Sequence, residues 1–174
     1  DFTDATLASK DWVMQGYTKG VPMGADLPGM PATAAAPTFM IAAAKDPESG
    51  KLDRIQVVKG YYKDGYPWEK IYDVAWSDGR EPDPATGKVP PVGNTVNIKQ
   101  ATYSNSIGDT QLSVVWKDPD FNPADSAFYY ARILEIPTPP WYAYDAFRFG
   151  TKNPEDAPKS QQERAYTSPI WVTP

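Results

Sequence analysis

The stretch Ala127-Phe128-Tyr129-Tyr130-Ala131-Arg132-Ile133-Leu134-Glu135-Ile136 decides the class of this fold. Aromatic and β-branched residues crowd it, and residues two apart share a character, as a half-buried strand requires. The period predicts that Tyr129, Ala131 and Ile133 face a core. Phe128, Tyr130 and Arg132 then face outward or toward a neighbour.

Working outward, the same texture recurs in short pieces. Thr38 to Lys45 is an apolar run closed by Asp46-Pro47-Glu48-Ser49-Gly50. Leu52 to Lys59 alternates, with Ile55 and Val57 on one face and Arg54 and Gln56 on the other. Trp68 to Trp76 is its partner, and Asp64-Gly65 between them is a hairpin turn signal. Further strands are expected at 94–98 with 101–103, at 111–117, where Leu112, Val114 and Trp116 share a face, and at 164–172. About seven short strands with turn signals between them predict an all-β, antiparallel sandwich of immunoglobulin or fibronectin type over residues 37–174. One local pattern supports it. Asp125-x-Ala127-x-Tyr129-x-Ala131 matches the tyrosine corner, in which the hydroxyl bonds back to nearby backbone. Asp125, Tyr129 and Trp116 are the structural residues of that reading. Residues 1–36 show no sustained period beyond one helical turn at 11–14. Their glycines and prolines mark an irregular arm that packs on something else.

Composition limits the chemistry. The 174 residues include no histidine and no cysteine, so a Ser-His-Asp triad, a Cys-His pair and a His-ligated metal cannot be built from them. A net charge of −5 argues against nucleic acid as a partner. No apolar run is long enough to span a membrane. The 19 prolines predict many turns and edges. The opening Asp1-Phe2-Thr3-Asp4 reads as a processed or truncated start.

Within those limits, Asp118-x-Asp120-x-Asn122-x-x-Asp125 is the candidate metal site. Clustered carboxylates and an amide oxygen suit calcium, although Pro123 and Tyr129 stand where an EF-hand needs Gly and Glu. A turn built from Asp, Asn and Pro for backbone reasons competes with it. Asp78, Glu81 and Asp83, with Arg80, form a second acidic loop whose plain reading is a solvated connection. Tyr61, Tyr62, Tyr66, Trp68, Trp141, Tyr142 and Tyr144 offer a sugar-stacking platform or, equally, a core or an interface.

Taken in order, Lys19 to Gly24, Leu52 to Gly60, Tyr72 to Trp76, Pro91 to Val96, Ala127 to Pro139 and Gln162 to Trp171 resemble the C-terminal portion of a bacterial family known as domain of unknown function 3604. Its members are longer. Their N-terminal part is similar to the polymerase-and-histidinol-phosphatase metallophosphoesterases, with a His-x-His-type metal motif, and an export signal is common. The resemblance implies a periplasmic or extracellular location. It also implies a non-catalytic β domain packed on a metal-bearing barrel in the N-terminal portion of the same protein, with no cofactor in this chain and a divalent metal in the parent. Lys19, Gly20, Met23, Gly24 and Asp26 would then lend a loop to the rim of that site. The alternative is a stand-alone sandwich that binds a glycan or a protein through exposed aromatics. A carboxylate-only hydrolase is a third option that the spacing does not promote.

Overall fold

The computed structural model describes residues 2–27 and 35–174. Strands dominate, and the arrangement is consistent with the all-β class. Strands β1 (Asp26–Leu27), β3 (Leu52–Lys63), β4 (Tyr66–Trp76), β6 (Ser126–Glu135), β7 (Arg164–Tyr166) and β8 (Ile170–Val172) form one sheet in the order β1-β8-β6-β3-β4, with β7 also on β6. Strands β2 (Thr38–Ala44) and β5 (Gln111–Lys117) pair with each other as a second, two-stranded sheet. All pairings are antiparallel except β1 with β8, so the described part of the arm adds an edge strand to the main sheet.

Period-2 alternation sets what lies between the sheets. Ile55 and Val57 of β3 pair with Ile133 and Ala131 of β6, and all four side chains join the core. From the other layer come Phe39, Ile41 and Ala43, paired with Trp116, Val114 and Leu112. Tyr129 is fully buried among them, its ring tilted against Phe39 at 4.8 Å between centroids. Burial of these large rings drives the two layers together. The β3–β4 hairpin turns as expected, with both central residues in the left-handed region at φ 53° for Asp64 and 84° for Gly65.

Two bulges shape the outer face. Register slips in β3 between Leu52 and Arg54, which makes Asp53 the extra residue. It slips again opposite Ile55 and Gln56, which makes Val74 the extra residue of β4. A one-residue insertion flips every side chain beyond it to the other face. Val74 and Ala75 therefore both reach the core, and Asp73 is delivered to the outer face opposite Gln56.

Several expectations need correction. The tyrosine corner is absent in its usual form, because the Tyr129 hydroxyl donates to the Asp118 carboxylate at 2.7 Å and not to backbone. A charged acceptor was available because Lys59 holds Asp118 at that end of the core. Residues 94–103 do not make a strand; a single bridge joins Asn97 and Thr102. The arm is more regular than its glycines suggest. It carries α1 (Asp4–Leu7), closed by a capping box from Thr3, and α2 (Trp12–Lys19). A helix α3 (Trp141–Phe149), ended by left-handed Gly150, occupies a segment read only as aromatic-rich.

Candidate functional site

The acidic loop after β5 is where a metal was expected, and its side chains are engaged with cations and phenols. Asp118 Oδ2 accepts from Lys59 Nζ at 2.6 Å and from the Tyr129 hydroxyl. The side chains of Lys59 and Asp118 are only 3% and 0% exposed. Asp120 is paired with Lys70 and accepts from the Tyr72 hydroxyl at 2.7 Å, while its carbonyl accepts a second bond from Lys59. Asn122 donates to Asp125 at 3.1 Å, and Asn122 also caps its own turn through the Ala124 N–H. Among the described residues, no group of three or more His, Cys, Asp or Glu side chains is gathered to hold a metal ion. The loop is an ionic staple between the two sheets, with two lysines against two aspartates.

Electrostatics agree with that description. Burial, followed by the bond to Asp118, pushes the Tyr129 phenol far above the ordinary tyrosine range. Burial, and then Asp120, does the same to Tyr72. The Lys70 and Tyr72 donors hold the Asp120 carboxyl below its ordinary value.

Of the five expected rim residues, Lys19, Gly20 and Met23 line a cavity of about 570 Å³ between the arm, β2 and the β6–β8 edge, and Gly24 and Asp26 do not. Lys19 Nζ bonds Gln15 within α2, and Gly20 ends that helix. Gly24 (φ 89°) donates to the Pro169 carbonyl at 3.0 Å, which threads the loop onto the segment before β8. Asp26 opens β1 opposite Trp171. Trp116 packs between Tyr72 at 5.0 Å and Phe39 at 5.8 Å, with both ring pairs tilted. The aromatics proposed as one platform are divided between the β3–β4 hairpin and α3.

A second constellation, on the outer face of the main sheet, was not anticipated. Asp53, the bulge residue, accepts from Arg54 at 3.2 Å, from Arg80 at 2.7 Å and from Gln162 at 2.9 Å. Asp73, delivered by the other bulge, accepts from Arg54 at 3.0 Å, from Gln56 at 2.7 Å and from the Val89 N–H at 3.1 Å. Arg54 also donates to the Val89 and Pro90 carbonyls, which fastens the long 77–110 connection over the sheet. Arg80, read as part of a solvated loop, reaches inward to do the same. Gln56 passes the order on by accepting from Arg132 Nε at 2.8 Å. Asp53, Arg54, Gln56, Arg132 and Gln162 wall a cavity of about 330 Å³ that Arg164 and Leu134 complete. The available signal was charge placed inside apolar strands, at Asp53-Arg54 and at Arg132, which alternation alone assigns to a wet surface.

The family described as "Protein of unknown function (DUF3604)" matches residues 1–174. The chain belongs to that family. No curated protein and no solved structure matches it.

Proposed function

We propose that this chain is a non-catalytic β domain of a larger, exported, metal-dependent hydrolase of phosphoesterase type, and that it works by docking on the metal-bearing part of the same protein. The observation that carries this reading is α3. Ala143 and Ala146 bury one side of it, while Trp141 and Phe149 stand 70% and 69% exposed, with Phe147 and Tyr144 beside them. Four large rings left in water on a nine-residue helix form a surface that suits a covering partner. The Met14 and Tyr17 side chains of α2 extend the same theme on the arm. In this reading Lys19, Gly20, Met23, Gly24 and Asp26 border the partner's site, and the two layers correspond to a reduced immunoglobulin-type sandwich.

The test is to purify the source protein under native conditions and determine its intact mass and N-terminal sequence. A histidine-bearing segment in the same chain, or co-purifying with it, together with metal-dependent phosphoesterase activity that the 174-residue chain lacks, is the expected result. Turnover of a phosphate ester by the pure chain would overturn the proposal.

A glycan- or protein-binding module is the second reading, favoured by one cluster on the outer face. Phe128, Tyr130, Tyr166 and Trp171 lie within 6.3 Å of one another in sequence of contact, with Tyr166 and Trp171 exposed. Saturable binding of an oligosaccharide that is lost in Trp171→Ala would select it.

A further inference from the structure

We infer that the cavity walled by Arg132 and Arg164 binds a small molecule through an oxyanionic group, a phosphate or a carboxylate. Such binding is independent of the docking role proposed above.

Arg54, Arg80, Arg132 and Arg164 surround this part of the sheet, and the two carboxylates among them, Asp53 and Asp73, each already accept three donors. Among the described residues, neither Arg132 nor Arg164 forms a salt bridge, which leaves a formal excess of two positive charges at the cavity. Like charges held together in a partly desolvated pocket repel, and an anion relieves that repulsion.

Geometry adds to it. Arg132 is half-buried and is oriented by a relay: its Nε donates to Gln56 Oε1 at 2.8 Å, and Gln56 Nε2 is in turn held by Asp73 at 2.7 Å. The relay uses only the inner nitrogen. The two terminal nitrogens of Arg132 have no hydrogen-bond partner among the described residues. Arg164 pairs with Leu134 on the adjoining strand, two residues from Arg132 on the same face, and both arginines line one cavity. A planar guanidinium fork with free terminal nitrogens matches the two oxygens of a carboxylate or phosphate. Leu134, Val92 and Pro137 supply apolar wall beside it, and 330 Å³ lies at the small end of ligand cavities, which suits a compact organic acid or phosphate ester.

Isothermal titration of the full chain with inorganic phosphate and, separately, with acetate tests this at constant ionic strength. Saturable binding of at least one probe is expected, and the stronger of the two identifies the group. Arg164→Gln and Arg132→Gln should each weaken it about tenfold or more, since a charge-assisted hydrogen bond is removed. Lys152→Gln, an exposed cation outside the cavity, should leave it unchanged. If Arg132→Gln loses its circular-dichroism spectrum, Arg164→Gln alone decides, because that side chain is exposed. The inference is overturned if neither probe saturates, if Arg164→Gln binds as the parent does, or if Lys152→Gln weakens binding equally.

Discussion

On the inner face of the main sheet, Lys59 and Lys70 meet Asp118 and Asp120; on the outer face, four arginines gather around two aspartates that pair with only two of them. Both clusters place charge inside a sheet, where desolvation is costly. The inner one is balanced and closed. Lys59 donates to two acceptors, and each carboxylate accepts a lysine and a tyrosine hydroxyl, so every group there is answered by the chain itself. The outer one is unbalanced, and its surplus faces a cavity. A balanced buried cluster specifies how two layers meet. A surplus that persists in the folded state weakens the fold locally and gives a ligand of the opposite sign something to offset.

The sharpest way to break the comparison is to unbalance the closed cluster. Asp118→Leu should cost about 3–5 kcal/mol in urea unfolding, because Lys59 and the Tyr129 hydroxyl lose their buried partner. Adding Lys59→Met should recover part of that loss, since removing both charges is cheaper than stranding one. A double variant no better than the single would mean that the pair itself is not what holds this end.

Next in size is Tyr129→Phe, at about 1–3 kcal/mol, for a hydrogen bond to a charged group. It carries a pH signature. The folded Tyr129 and Tyr72 phenols titrate above the unfolded value of about 10. Their contribution is therefore complete below about pH 10 and is lost as the pH rises beyond it. Tyr129→Phe should flatten the alkaline limb of a stability–pH profile; an unchanged slope above pH 10 would remove the Tyr129 phenol from the account.

How much of this was legible follows from the same contrast. An apolar run located β2, and alternation and turn signals located β3, β4, β5 and β6, the Asp64-Gly65 turn and the burial of Tyr129, because period and turn chemistry are local properties. The Tyr129 partner was not legible. Asp118 is eleven residues away in sequence and reads as turn chemistry until Lys59 is placed against it. Asp53 and Asp73 were harder still. Each is aimed by a bulge, a slip in pairing between two strands that neither strand shows alone. Helix α3 was hidden by its aromatics, which suit a strand as well as a helix. Of the arm expected at 1–36, residue 1 and residues 28–34 lie outside the described residues.

The smaller effects sharpen the comparison at its edges. The Lys70–Asp120 pair belongs to the closed cluster, but each side chain is about half exposed. Lys70→Met should cost about 0.2–1 kcal/mol, as exposed pairs do. Because Lys70 and Tyr72 hold the Asp120 carboxyl low, the stabilisation is present above about pH 4 and is lost as the pH falls through the folded value. The variant should therefore lose less stability between pH 5 and pH 2 than the parent does, and an identical acid limb would mean that water screens the pair completely.

The smallest effect has the opposite sign and is the most telling. Arg164 is exposed and bridges to no carboxylate among the described residues, so Arg164→Gln removes no buried partner. It does remove a positive charge from a cluster with a surplus of them. In low-salt buffer without a multivalent anion, Arg164→Gln should leave stability within about 0.5 kcal/mol of the parent, on the stabilising side. Salt should shrink even that gain, because it screens the repulsion that the substitution relieves. A loss of 1 kcal/mol or more would show that Arg164 is answered by the protein after all, and the outer cluster would then be closed like the inner one.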